Sequence, residues 1–270
     1  MLGDVYHSAL CDLYGEDYGA RGGIVTAEAL KALREDKGRI KSLVDSKIEE
    51  QLHSGAVTGK NLVYEEVVCR FIDETLRRDI EHLSGDSTGK RHDGYKILGR
   101  EMKLRSVFHT PKGDFRLKGT LDRLDMFTGD ESAVRVVDYK TGTVEDNDID
   151  ISDDNAGKIA EAVFTGANKA HWPKIALQIY IYDYLLRNSG ETRDIAGGRN
   201  VLNAIYSTRR LFSSPVSDVP ESQAFGEEMC IRLSDLFEEI VDPDTPFVAD
   251  WRPGEFGHCK NCDFREICRR

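Results

Sequence analysis

From the start of the chain the apolar positions Leu2, Tyr6, Leu10 and Leu13 recur at near-helical spacing and stop at Tyr14-Gly15, where a glycine can end a helix. Thr26 stands as an N-cap ahead of Ala-Glu-Ala-Leu-Lys-Ala-Leu-Arg, and helical patterning continues through Ile40 to Leu52. The longest periodic stretch is Asn61 to Leu83, where Leu62, Val63, Val67, Val68, Phe71, Ile72, Leu76, Ile80 and Leu83 form one broad stripe. Residues 1–83 are therefore predicted to be mostly helical. A polar, glycine-containing loop from Ser84 to Gly94 follows.

The pattern then changes. Tyr95 to Phe108, Phe115 to Phe127 and Val134 to Tyr139 are rich in β-branched and aromatic residues and are separated by turn-like segments, which predicts three consecutive antiparallel strands. After an acidic stretch, Glu145 to Asp154, helical spacing returns from Trp172 to Arg187, with Ile175, Leu177, Ile181, Leu185 and Leu186 on its apolar side. Val201 to Ser207 reads as one more strand and Gln223 to Val241 as a long helix; residues 242–270 read as loop with a short final turn. The whole is an α/β pattern, expected to fold as a single domain: a helical region (1–83), a core (95–241) and a cysteine-containing tail (242–270).

Composition narrows the function classes. At 270 residues with 40% hydrophobic side chains the chain can bury a real core. Its net charge of −11 argues against holding nucleic acid by bulk positive charge, although a local basic groove is compatible with it. No apolar run reaches the ~20 residues of a membrane span, and the Met-Leu-Gly-Asp start lacks the features of a signal peptide, so a soluble, cytoplasmic chain without a membrane role is expected. Three of the six cysteines crowd the last twelve residues, which favours a metal site over disulfides.

The most informative stretch is Gly119-Thr-Leu-Asp122-Arg-Leu-Asp125 followed by Val136-Val-Asp138-Tyr-Lys140-Thr-Gly142. Period two puts Asp138 and Lys140 on one face of their strand, and a hairpin about Thr128 to Ser132 brings Asp122 to Asp138. Two carboxylates side by side are favourable with a cation between them, and oxygen ligands of this kind suit Mg²⁺ or Mn²⁺. A lysine two residues beyond such an aspartate can position and help deprotonate a water and offset charge on a phosphoryl group, the equipment for phosphodiester hydrolysis. The plainer reading is a cross-strand surface ion pair. It is disfavoured because Asp138 ends an apolar run, Val134, Val136 and Val137, where a charge needs a partner.

These motifs, with Gln178-Ile-Tyr-Ile-Tyr182 and a terminal Cys-x2-Cys-x5-Cys, resemble the PD-(D/E)xK nucleases of the RecB and AddB type across most of the chain, from about Leu2 to Cys268. The resemblance implies a restriction-endonuclease-like fold, a central mixed sheet flanked by helices. It makes Asp122 and Asp138 the metal-binding acids, the Tyr139 carbonyl a further ligand, and Lys140 the catalytic lysine. Gly3-Asp-Val-Tyr-His7 is similar to the family's Gly-x-x-x-His, which adds His7 to the metal ligands. Gln178 and Tyr182, four apart on a helix, would line the site; they could also be the polar boundary of an amphipathic helix. Glu101 is a candidate additional acid, or a solvated strand residue. Arg123 and Asp125 read as a supporting salt bridge. Lys103, Arg105, Arg116 and Lys118 could form a basic patch beside the acids, or an ordinary solvent face.

In AddB-type nucleases the tail triplet, here Cys259, Cys262 and Cys268, joins a distant upstream cysteine to hold an iron–sulfur (4Fe–4S) cluster. Only six residues precede His7, so that cysteine is missing, as expected of an excised or truncated domain; Cys11 follows the histidine and is a poor substitute. Zinc completed by His258, or unliganded thiols, are the alternatives. The activity implied is Mg²⁺- or Mn²⁺-dependent hydrolysis of DNA by an exonuclease acting on single-stranded ends, with a helicase-type partner or fused helicase domain, in recombination and repair. The rival is a non-catalytic, nuclease-like DNA-binding or scaffold module of a helicase complex. Retention of Asp122, Asp138 and Lys140 speaks against it.

Overall fold

The computed structural model describes residues 2–17, 19–20, 22–52, 58–86, 88–165, 172–214, 216, 218–246, 263–264 and 266–267. The cysteines Cys259, Cys262 and Cys268, and His258, lie outside the described residues.

The N-terminal part is helical: α1 (Leu2–Leu13), α2 (Ala27–Glu35), α3 (Lys37–Leu52) and α4 (Lys60–Ser84). Thr26 is the N-cap expected of it, its Oγ1 accepting from the Ala29 N–H at 3.2 Å. The stretch read as one helix to Leu52 is two helices, because Asp36 closes the first through its backbone N–H and starts the second by accepting the Arg39 N–H at 3.0 Å.

Among the described residues six strands form one mixed sheet in the order β1 (Ile24–Thr26), β2 (Gly94–Thr110), β3 (Gly113–Phe127), β4 (Ala133–Lys140), β5 (Asn200–Ser207) and β6 (Asp218–Pro220). Only β4 and β5 pair in parallel, which demands a crossover; α5 (Ala156–Thr165), α6 (Lys174–Asn188) and the short α7 (Arg193–Ala196) supply it. The last helix, α8 (Gln223–Val241), starts at Ser222, whose Oγ accepts from the Phe225 N–H at 3.1 Å. The three-residue strands β1 and β6, and the helix α5, are additions to the elements predicted above.

Alternation along β4 sorts the two layers. Val137 and Tyr139 pack with Tyr6, Leu10, Ile72 and Leu76 of α1 and α4, whereas Val134 and Val136 pack with Leu185 and Leu186 of α6. Helices cover both faces, the architecture expected. Among the described residues no helix is long and apolar enough to cross a membrane.

Behind β3 and β4, on the α4 side, runs a buried ionic chain. Arg123 donates to Asp125 (2.8 Å) and Asp79 (3.1 Å), and Arg135 donates to Asp125 (3.0 Å) and Asp218 (3.2 Å). Tyr14 and Tyr206 also donate to Asp79, and Arg123 reaches the Tyr139 hydroxyl at 2.8 Å. Fully buried guanidiniums are tolerable only when paired and hydrogen-bonded in this way. The Arg123–Asp125 salt bridge expected from the sequence is one link of it.

Candidate metal centre and active site

Register brings the acids together. β3 and β4 pair Arg123 with Val137, so Asp122 and Asp138 face each other across the two strands. The Tyr139 backbone N–H donates to Asp122 Oδ2 at 2.8 Å, holding that carboxylate in place. On β2, Arg100 opposes Arg123 and Met102 opposes Leu121, which sets Glu101 beside Asp122. Glu101 has φ +46°, the left-handed region that a glutamate adopts only at a cost of about 1–2 kcal/mol. Backbone strain of this kind concentrates at functional sites.

The histidine arrives from α1, whose buried stripe Val5, Tyr6, Ala9, Leu10 and Leu13 turns His7 toward the strand ends. Gly3 makes the approach possible: a Cβ there would sit 3.3 Å from Thr141 Oγ1, in the loop after β4. His7 Nδ1 then lies 3.4 Å from Asp122 Oδ2. Ligand atoms of His7, Glu101 and Asp122 all lie within 4.8 Å of one another.

Asp138 stands next to that trio but outside it. Its side chain is buried, with Oδ2 2.5 Å from Lys140 Nζ and Oδ1 accepting from Gln178 Nε2 at 3.1 Å. Gln178 also donates to the Tyr182 hydroxyl at 2.5 Å, so the helix-spaced pair on α6 is linked to Asp138 of β4. Tyr139 contributes its backbone, since its ring is turned into the α1–α4 layer.

The electrostatics describe a site short of positive charge. Burial pushes the Asp138 carboxyl up, and the Asp122 charge adds to that against the pull of Lys140. Glu101 is also raised, by burial first and by Asp122 second. For His7, burial acts downward, but the hydrogen bond to Asp122 and the charges of Asp122 and Asp138 outweigh it and raise the ring's proton affinity. Burial and the Asp138 charge keep the Tyr182 phenol protonated. Carboxylates gathered beside a histidine in this way are a donor set for a hard-to-borderline divalent cation.

A family profile described as the PD-(D/E)XK nuclease superfamily matches residues 1–269. The chain belongs to the PD-(D/E)XK nuclease superfamily. No curated protein sequence matches it. Members are typically nucleases and usually use divalent metals, and the His7–Glu101–Asp122 trio fits that chemistry. The six-stranded mixed sheet with flanking helices seen among the described residues is a restriction-endonuclease-like α/β fold.

A cleft of about 940 Å³ opens over His7 and Glu101, walled by Gly3, Asp4 and Cys11 of α1, Lys47 of α3, Lys140 with the Thr141–Thr143 loop, and Lys174 of α6. Lys47 and Lys174 were not singled out by the sequence. Neither sits in a motif, and only the packing of α3 and α6 around the strand ends brings them in.

Proposed function

We propose that the protein is a Mg²⁺- or Mn²⁺-dependent deoxyribonuclease of the RecB/AddB type, an exonuclease working on single-stranded ends beside a helicase-type partner or fused helicase domain. The observation that carries the hydrolytic reading is the convergence of His7, Glu101 and Asp122 beside the Asp138–Lys140 pair. His7, Glu101 and Asp122 would hold the cation, with the Tyr139 carbonyl a further candidate. When bound, the cation supplies Lewis-acid polarisation of the phosphoryl group and offsets its charge.

The chain's own groups do the rest. The Tyr139 N–H fixes Asp122. Asp138, enclosed and engaged by Gln178, anchors Lys140, so that the ammonium is presented at the cleft where it can donate to the attacking water and to a phosphoryl oxygen. Gln178 donates to the Tyr182 oxygen, which leaves the phenol proton free for a substrate oxygen. The tail triplet Cys259, Cys262 and Cys268 belongs to this reading as ligands of an iron–sulfur cluster or zinc.

The decisive experiment is release of fragments from end-labelled single-stranded DNA with Mg²⁺, with Mn²⁺ and with EDTA, beside Lys140→Ala. Metal-dependent cleavage should fall by about 10²-fold or more in the variant, the scale of losing one transition-state donor. Equal cleavage by the variant, or none by the wild type with metal bound, refutes it.

A further inference from the structure

Outward from Glu101 and Asp122, β2 and β3 continue as one long hairpin. One face is occupied: Leu104 packs with Leu185, while Phe108 and Phe115 meet Phe237 of α8. The alternate residues point the other way, and Lys103, Arg105, Arg116 and Lys118 are all exposed there. Register sets Lys103 against Thr120, Arg105 against Lys118 and Val107 against Arg116, so the cations form a double row lining a groove of about 600 Å³. Among the described residues, none of the four makes an ion pair. In a chain with eleven more acidic than basic groups, four positive charges are gathered on this face, and the Arg105 charge acts on Glu191 without pairing with it. The row begins beside Glu101 and Asp122, which share its face of the hairpin.

We infer that this face of the hairpin is the track on which a single-stranded polynucleotide backbone is led to the His7–Glu101–Asp122 centre. The inference rests on the nuclease reading above and adds the surface that would hold the strand. Cations two residues apart along a strand recur every ~6.7 Å, and the two rows lie ~4.8 Å apart, a strip one backbone wide. Such a strip neutralises successive phosphates of a single extended strand. The second backbone of a duplex finds no matching row on this face of the hairpin. Val107, exposed between Arg105 and Arg116, offers an apolar contact to a base.

The test uses binding in EDTA, so that it does not depend on cleavage. Labelled oligo(dT) and oligo(U) of about 16 nucleotides, and a duplex of the same length, are titrated by fluorescence anisotropy at several salt concentrations. For single strands log K falls with log salt by about 0.7 per neutralised phosphate, so the Lys103→Gln/Arg105→Gln/Arg116→Gln/Lys118→Gln variant should lose about 3 from the slope. Arg116→Gln alone, at the outer end, should lose about 0.7, which keeps the test open if the fourfold variant folds poorly. The better-bound single strand should show both losses, with thermal midpoints as in the wild type. Unchanged slopes in folded variants, or a duplex bound as tightly as the single strand, overturn the track. Wild type that binds in EDTA with the expected slope but cleaves nothing with Mg²⁺ or Mn²⁺ overturns the nuclease reading and leaves the track standing.

Discussion

Asp218→Asn tests whether the buried ionic chain stabilises the fold through charge. Asp218 sits on β6 with its side chain 3% exposed, Oδ1 accepting from Arg135 Nε at 3.2 Å and Oδ2 3.2 Å from His82 Nε2. Burial acts to raise its carboxyl, but the Arg135 charge and the His82 contact win and hold it at about 2, against an ordinary 3.8. A carboxyl depressed in the folded state contributes stability that is fully present above its unfolded value and is lost as pH falls through the folded one. Nearly two pH units at ~1.4 kcal/mol each make that contribution about 2–3 kcal/mol. Asparagine keeps the shape and one acceptor but no charge. Urea melts followed by circular dichroism should therefore show the variant 2–3 kcal/mol less stable at pH 7 and pH 5, with the gap narrowing from pH 4 downward. A gap as large at pH 3 as at pH 7, or one below ~0.5 kcal/mol at pH 7, would mean that Asp125 alone sustains Arg135 and that the charge reasoning is wrong.

The site and its surroundings yield four further expectations. Glu101→Gly should raise the thermal midpoint by the ~1 kcal/mol of relieved backbone strain and at the same time weaken Mn²⁺ binding measured by calorimetry; a variant less stable than wild type contradicts the strain argument. Gln178→Ala should lower cleavage about 10–100-fold with little effect on stability, since it frees both Asp138 Oδ1 and Tyr182, and an unchanged rate would reduce the residue to a bystander. Asp183, enclosed against Asn203 and raised by burial to about 7, contributes stability at low pH that is lost as pH rises through 7, so Asp183→Asn should gain roughly 2–4 kcal/mol at pH 8 and almost nothing at pH 4. Metal analysis of anaerobically purified protein should find iron with sulfide, or zinc, that Cys262→Ser lacks; equal content in both would clear the tail of a metal role.

The strand carrying Asp138 and Lys140 was open to reading because its pattern is local. Val136-Val-Asp138-Tyr-Lys140 fixes burial by composition and co-facing by period, and the short turn to β3 brings Asp122 across without any distant contact. His7 was legible only through a motif; the reason for its position, the close pass of Gly3 to Thr141, is a contact between residues far apart in the chain. Glu101 was legible only as a candidate additional acid with a solvated strand residue as the alternative, since nothing in Gly-Arg-Glu-Met announces a left-handed backbone or a neighbour on β3. Asp79 was hidden for a different reason. It lies on α4 among charges that pattern as a solvated face, yet Tyr14, Tyr206 and Arg123 close over it. β1 and β6 are too short to show a period, and Asp36 splits one helical pattern by a cap that propensity alone does not mark.

The parallel pairing of β4 with β5 has a consequence for the order of events at the ribosome. Lys140 ends a strand whose outer neighbour, ending at Ser207, is made only after the whole crossover has been synthesised, and the clamp on Asp138 comes from Gln178 within that crossover. From His7 to Gln178 is about 170 residues, on the order of 10–30 s of translation at ordinary elongation rates. Throughout that interval the growing chain carries the histidine, then the acids, then the lysine, but not yet the contacts that hold them together. Assembly of the candidate site is thereby postponed until the crossover has been made, a delay written into connectivity.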